Sequence, residues 1–435
     1  MAEHNMALTP DPAEVEILVN LRRNYVYNIL DGAFFGFALG FASFMTIIPL
    51  FISTLTGSAI LIGLIPAIHN MGWQLPQLLV ANRVSRQARY KPMVLRVTYH
   101  ERLPFLGLAI LAWFSPQLGV QTTLVLAFIL LIWQGLGSGF TASPWQSMIA
   151  RIFPSDRRGT FYGSQSSAAN LLASLSAVIA GFILGKLASP LDFTLCFTFA
   201  SLAMVISWIA LAQTHEPARR VLPAPDESGS SRKNIARILK NDANFRWFLL
   251  VRAVSQLAVM GFAFYTVYAV KFLGMDEVTV GILTGVLMGT SIIANPVMGW
   301  LADHWSPRSI MAVGMLAATA SGLIAWWAPD AVWFFPVFIL AAIANVAIWT
   351  IPMTLILMFG TESDRPYYIG MANTFIAPFT VLAPLFGGWL AEIAGYQTTF
   401  IVSAIGGIAT AALLQLMVRN PKPQLEPKYS PQESA

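Results

Sequence analysis

The chain has 435 residues, 56% of them hydrophobic and 11% charged, with a mean hydropathy of +0.64; soluble domains carry about a quarter charged residues, so a water-soluble globular fold does not fit. The net charge of +5 comes from 26 Lys and Arg against 21 Asp and Glu, and the placement of those residues makes it a topology signal with no call for a nucleic-acid partner. A single cysteine, Cys196, excludes an intramolecular disulfide.

In chain order, residues 1–24 are polar and carry Glu3, Asp11, Glu14 and Glu16, unlike the basic start and short apolar core of a cleavable signal peptide. They are expected to form a cytoplasmic tail. Twelve apolar runs follow, at 25–52, 58–81, 92–114, 122–150, 161–186, 192–212, 247–271, 278–302, 308–328, 331–359, 368–392 and 397–418. Their lengths match the roughly 20 residues a helix needs to cross a bilayer core of about 30 Å. None shows the alternation of a barrel strand. The expected fold is an all-α polytopic membrane protein of twelve transmembrane helices in two pseudo-symmetric six-helix bundles, 25–212 and 247–418, followed by a cytoplasmic tail, 419–435.

The longest polar interruption, 213–246, joins the bundles. Its first part is rich in Pro, Ser and Gly and reads as a flexible link. Its second part sets Ile235, Ile238 and Leu239 at helical spacing among Arg232, Lys233, Arg237 and Lys240, which predicts a short amphipathic helix on the inner membrane surface or in solvent. Arg22, Arg23, Arg83, Arg86, Arg89, Lys91, Arg151, Arg157, Arg158, Arg308, Arg365 and this linker all fall on the side of the termini, against Lys186 and Lys271 opposite. Basic loops stay cytoplasmic, so a multi-pass protein of the inner (plasma) membrane with both termini inside is expected.

The two halves repeat each other. Residues 163–181 align with 370–388, pairing Gly163 with Gly370 and, just before them, Arg158 with Arg365; Asn82 in the second run matches Asp303 in the eighth. Such repeats place a transporter's substrate site between the halves near the midplane. Glycines at every fourth position, Gly32, Gly36 and Gly40 and again Gly281, Gly285 and Gly289, offer faces for close helix approach.

The stretch "GWLADHWSPRSIM" resembles the G-x-x-x-D-R-x-G-R-K loop of the major facilitator superfamily: Gly299, Ala302, Asp303 and Arg308 fit it, while His304, Ser306 and Pro307 depart from it. The first half carries Asn82 and Arg83 at the matching loop. "ARIFPSDRRGTFYG" is similar to the superfamily's approach to its fifth helix, with Arg157 and Arg158 at gate positions, and Arg365 repeats Arg158. The antiporter glycine-proline pattern is incomplete, since Ala177, Phe379 and Ala383 replace its residues, so the resemblance does not support the antiporter subclass. The resemblance implies a monomeric transporter whose latch, Asp303 with Arg308, holds the cytoplasmic gate shut against a helix N-terminus of the other half.

It further implies that the first, fourth, seventh and tenth helices line the pathway. Candidates there are Asp31, Gln134, Arg252, Gln256, Tyr265, Asn345 and Trp349, with Trp145 and Tyr268 as aromatic walls; His69, Asn70 and Gln74 add a polar face in the second run. Each either contacts substrate or satisfies a neighbouring helix. His100, Glu101 and Arg102 stand on successive positions of the third run and, at about 100° per residue, cannot share one face. Pairing of Arg102 or Arg96 with Asp31 or Glu101 is the preferred expectation, ahead of a proton relay.

"HERLP" lacks the second histidine of H-E-x-x-H, and no G-x-S-x-G or nucleotide-binding loop occurs. No catalytic residue, metal or cofactor is therefore expected. The function these features imply is secondary transport of a small organic solute by alternating access, with protons as a further partner and the lipid bilayer as solvent; a passive facilitator, a transport-inactive sensor and an intramembrane enzyme are the alternatives.

Overall fold

The computed structural model describes residues 12–56, 58–217, 231–275 and 277–420. Among them, helices follow one another in twelve successive segments. The first half comprises Pro12–Phe41 continued by Ile47–Ser53; Ala59–Gln74 with Gln77–Ser85; Lys91–Val97 with Tyr99–Leu118; Val120–Ile152; Arg158–Lys186; and Leu191–Ala212. The second comprises Ala243–Val259 running through a tight turn into Tyr265–Leu273; Glu277–His304; Pro307–Trp327; Phe334–Trp349 with Ile351–Ile356; Arg365–Ala394; and Tyr396–Met417. Nine helices among the described residues are long and apolar enough to cross a membrane. The first three segments, with a polar start, a break at Leu75–Pro76 and a break at Thr98, lie outside that count.

Two expectations are corrected. The first helix begins at Pro12, so the whole described part of the expected tail, 12–24, is helical. This extension is held by the end of the sixth segment: Asn24 donates to the His215 carbonyl at 2.9 Å, and Arg23 to that of Gln213 at 3.1 Å. The linker helix, Ser231–Asn241, docks on protein: Ile238 is buried, Arg237 pairs with Asp364 at 2.6 Å, and Asn234 donates to the Tyr367 hydroxyl at 3.1 Å. The intervening residues 218–230 and both chain ends, 1–11 and 421–435, lie outside the described residues.

Helix contacts explain the glycine spacing in the first segment. A Cβ on Gly36 would collide with the Ala169 backbone, and one on Gly40 with Ser176 and Ala173, so these positions let the first and fifth segments meet backbone to backbone. The second set behaves differently: Gly285 and Gly289 face open space.

Packing differs between the two ends of the molecule. At the end carrying the linker, one apolar cluster contains buried residues of both halves, among them Tyr90, Phe153 and Phe161 with Phe245 and Phe359. Two further clusters each belong to one half: Phe41, Phe105 and Phe197 in the first, Tyr265, Phe334 and Phe400 in the second. Among the described residues, the apolar cluster that joins the halves is therefore the one at the linker face.

Candidate functional site

At the linker face the eighth segment meets the fifth. Gly159 lies against Gly299 and Gly163 against the Asn295 backbone, with no room for a Cβ at either. Ser167 donates to the Ile292 carbonyl at 2.6 Å. Farther from the linker face Ser174 still reaches the Met288 sulfur at 3.5 Å, and Gly181, Gly185, Gly285 and Gly289 have nothing within Cβ contact range. The close backbone contacts of the pair lie toward the linker face, and its glycines toward the other end stand clear.

The latch residue Asp303 caps the fifth segment. Its Oδ1 accepts the Gly159 N–H at 2.7 Å and its Oδ2 the Thr160 N–H at 2.6 Å, placing a carboxylate on the positive end of a helix from the other half. The expected Arg308 partner is corrected: Arg308 instead donates to the Val418 carbonyl at 2.7 Å, closing the end of the twelfth segment. Arg158 donates to the Phe153 carbonyl at 3.1 Å and likewise satisfies the end of the fourth.

The symmetry-related latch has different chemistry for a backbone reason. With the 207-residue offset between 163 and 370, the counterpart of Gly159 is Pro366, which has no N–H to donate. Asn82 accordingly turns to a side chain, accepting the Tyr367 hydroxyl at 2.9 Å. Arg83 and Arg157 are exposed, and Arg365 opens the eleventh segment.

A second clamp was not legible in the sequence. Arg151 pairs with Glu362 of the other half at 2.5 Å and with Glu216 at 3.1 Å, and its guanidinium lies 4.0 Å from the Tyr90 ring centroid. Glu216, four residues past the sixth segment, accepts the backbone N–H groups of Tyr90 at 2.8 Å and Lys91 at 2.6 Å. Burial pushes the Glu216 carboxyl upward in pKa, opposed by these N–H groups and by Arg151.

Away from the latch, a cavity of about 220 Å³ is bordered by Asp31, Glu101, Arg102, Trp73, Trp145 and Met353 among others. Its charged groups form one network. Arg102 Nη2 donates to Asp31 Oδ1 at 3.0 Å, and Arg102 Nη1 lies 3.5 Å from Glu101 Oε2. Ser207 donates to Asp31 Oδ1 at 2.6 Å, and Ser138 to Glu101 Oε1 at 2.8 Å. The third segment begins at Lys91, so all three successive ionisable residues sit in helix, and the predicted divergence of faces follows: Glu101 and Arg102 are buried while exposed His100 accepts from Trp133 at 3.1 Å. Arg96, the other candidate partner, is exposed.

The remaining candidates divide. Asn345 and Trp349 fall at i and i+4 on the tenth segment, a shared exposed face, and Met353, beyond the break at Thr350, borders the cavity. His69 stacks on Phe44 and its Nδ1 meets Gln134 Oε1 at 3.1 Å, while the Gln134 amide nitrogen is buried without a partner among the described residues. Asn70 is exposed, and the Gln74 amide is buried without a partner among the described residues. Arg252 is buried and donates to Asn373 at 3.3 Å, and Asn373 donates to Gln77 at 2.7 Å, a chain linking the seventh, eleventh and second segments. Gln256 is buried beside Ser255. Tyr265 is not brought to the cavity: it is a core residue ringed by Phe334, Phe338 and Phe400, with its hydroxyl bound by Ser321 at 3.0 Å. Thr98, Ser138 and Ser207 gave no signal, since isolated hydroxyls recur throughout apolar helices.

Comparison with known proteins agrees with this architecture. The family model described as Major Facilitator Superfamily matches residues 95–276 and 259–433. A vesicular acetylcholine transporter of Mus musculus is 29% identical over 140 residues, 32% of this chain and 26% of that protein, so the likeness spans about a quarter of its length. Among solved structures, the E. coli fucose:proton symporter FucP superposes with a TM-score of 0.70 at 16% identity, covering 91% of this chain and 100% of that one. The human organic anion transporter TETRAN gives 0.69 at 13% identity, covering 91% and 99%. With its family model matched across more than half of its length, this chain belongs to the Major Facilitator Superfamily of transporters.

Proposed function

We propose that the chain is a secondary active transporter that carries a small organic solute across the plasma (inner) membrane by alternating access, coupled to protons. The observation that carries the reading is the unequal closure of the fifth and eighth segments: Asp303 ties them at the linker face, while Gly185 and Gly289 stand clear at the other. The basic residues of the linker face make that face cytoplasmic, so the arrangement corresponds to an outward-open state of a monomer with both termini inside. Asp31, Glu101 and Arg102 then occupy the pathway as the groups able to bind solute and exchange a proton, with Trp145, Asn345 and Trp349 lining the approach.

The test is a ligand-stabilisation screen on purified protein spanning drugs, sugars, organic acids and peptides, followed by uptake of each stabilising ligand into proteoliposomes with and without a pH gradient. Flux that follows the gradient supports the reading. Flux indifferent to it removes the proton coupling, and no flux of any stabilising ligand removes transport.

A further inference from the structure

We propose that the cavity at Asp31 takes a small monovalent organic cation, an amine or quaternary ammonium, in exchange for one proton. This rests on the transport reading above and names the substrate class of the same cavity.

The charge balance comes first. Two carboxylates, Asp31 and Glu101, border the cavity with one guanidinium, Arg102, leaving a single negative charge in excess when all three are ionised. An unmatched buried charge is costly, so the site recruits one positive charge. The hydrogen bonds locate where it goes. Both Glu101 oxygens are engaged, Oε1 by Ser138 and Oε2 by Thr98 at 3.2 Å and Arg102 at 3.5 Å. Asp31 accepts Arg102 and Ser207 on Oδ1 alone, leaving Oδ2 without a donor among the described residues.

A proton on Oδ2 satisfies the balance, and so does a bound cation, but not both together. Among the described residues the charged groups facing Asp31 are Arg102 and Glu101, both from the third segment; the sixth brings neutral Ser207, the fifth neutral Gln165 and the fourth neutral Ser138 and Gln146. An entering anion would meet two carboxylates and a guanidinium already engaged by both.

The walls fit the same class. Phe35, Trp73 and Trp145 border the space, and aromatic faces attract cations; the Arg102 guanidinium already lies 5.4 Å from the Phe35 ring centroid. At about 220 Å³ the cavity is below the roughly 300–1,000 Å³ of drug-sized pockets, so the occupant is small. In the exchange the Asp31 O–H bond breaks, the proton leaves to water, and the carboxylate pairs with the incoming cation; nothing is oxidised or reduced.

Tetramethylammonium is the probe, because its fixed charge makes any released proton the protein's own. Titration calorimetry on the full purified chain in two buffers of different ionisation enthalpy counts that proton. The expected result is release approaching one proton per cation and a Kd that rises about tenfold per pH unit on acidification through the Asp31 titration. Asp31→Asn should abolish the release and weaken binding at least about tenfold. Should that variant fold poorly, the wild-type pH dependence stands alone, and Trp145→Ala should weaken binding while keeping the proton release. Binding without pH dependence overturns the exchange. No tetramethylammonium binding, with or without binding of acetate or glucose, overturns the cation class, and a transported neutral or anionic ligand in the uptake assay would leave the transport reading standing without it.

Discussion

Asp31 and Arg102 lie 71 positions apart and meet at 3.0 Å, tying the first segment to the third beside the cavity. Both side chains are less than a tenth exposed, and Ser207 of the sixth segment shares the same carboxylate oxygen. Arg102 thus serves two needs at once: it neutralises part of a buried acidic pair and fixes the distance between segments that border the solute space.

Removing one member of this pair should be worse than reversing it. Arg102→Ala leaves Asp31 and Glu101 buried together and should cost about 3–5 kcal/mol, the usual penalty for orphaning a buried partner. Asp31→Arg and Arg102→Asp should each lower the melting temperature in detergent, and the double swap should recover most of the loss. A double swap no better than the singles would mean that the pair is incidental to folding.

Asp303 should control closure at the linker face. Asp303→Ala removes two charge-assisted hydrogen bonds, each worth about 1.5–3 kcal/mol net. Even 1.4 kcal/mol changes a population ratio about tenfold. Maleimide labelling of Ser167→Cys, which faces Ile292 across the closed contact, should therefore accelerate about tenfold or more in a Cys196→Ala background. Asp303→Asn should fall between, since one amide oxygen replaces two carboxylate acceptors.

The weaker latch has a defined repair. Asn82→Asp alone gains no pair of backbone donors, because Pro366 has no N–H. Asn82→Asp with Pro366→Gly supplies both the charge and the donor, and should slow Ser167→Cys labelling below the wild-type rate while Asn82→Asp alone does not. Equal rates for both variants would rule out the missing N–H as the cause.

Glycine substitutions should sort by face. Gly163→Ala strikes the Asn295 backbone and should open the linker face and lower the melting temperature. A Cβ at Gly289 has nothing within 4 Å, so Gly289→Leu should preserve stability while obstructing approach of the fifth and eighth segments at the other face. Uptake should fall with little change in melting temperature.

Much of the fold was legible because lipid imposes a length and an apolarity on each helix, and the basic loops mark one face. The Arg102–Asp31 pairing was legible for a related reason: a charge inside a spanning helix needs a partner, and few were within reach. The start of the first helix at Pro12 was not, because helix propensity and loop contacts, not hydropathy, extend it beyond the apolar run. The linker helix showed an amphipathic pattern but not what would cover its apolar face, and that face went to the second half. Arg308 followed its motif in sequence yet closes its own half, since it satisfies the carbonyl of buried Val418 just past the twelfth segment. Gly281, Gly285 and Gly289 show the limit of spacing: it marks a face suited to close approach and says nothing of whether that face is occupied in a given state.

The most direct test of alternating access is a pair of distances on one protein. Spin labels replacing Arg83 and Trp305 report across the halves at the linker face, and labels replacing Lys186 and Ile282 report at the other; all four positions are exposed. Pulsed dipolar spectroscopy in lipid, comparing the parent with Asp303→Ala, should show the first distance lengthening as the second shortens. Unchanged distributions, or both distances moving in the same direction, would contradict an exchange of closure between the two faces.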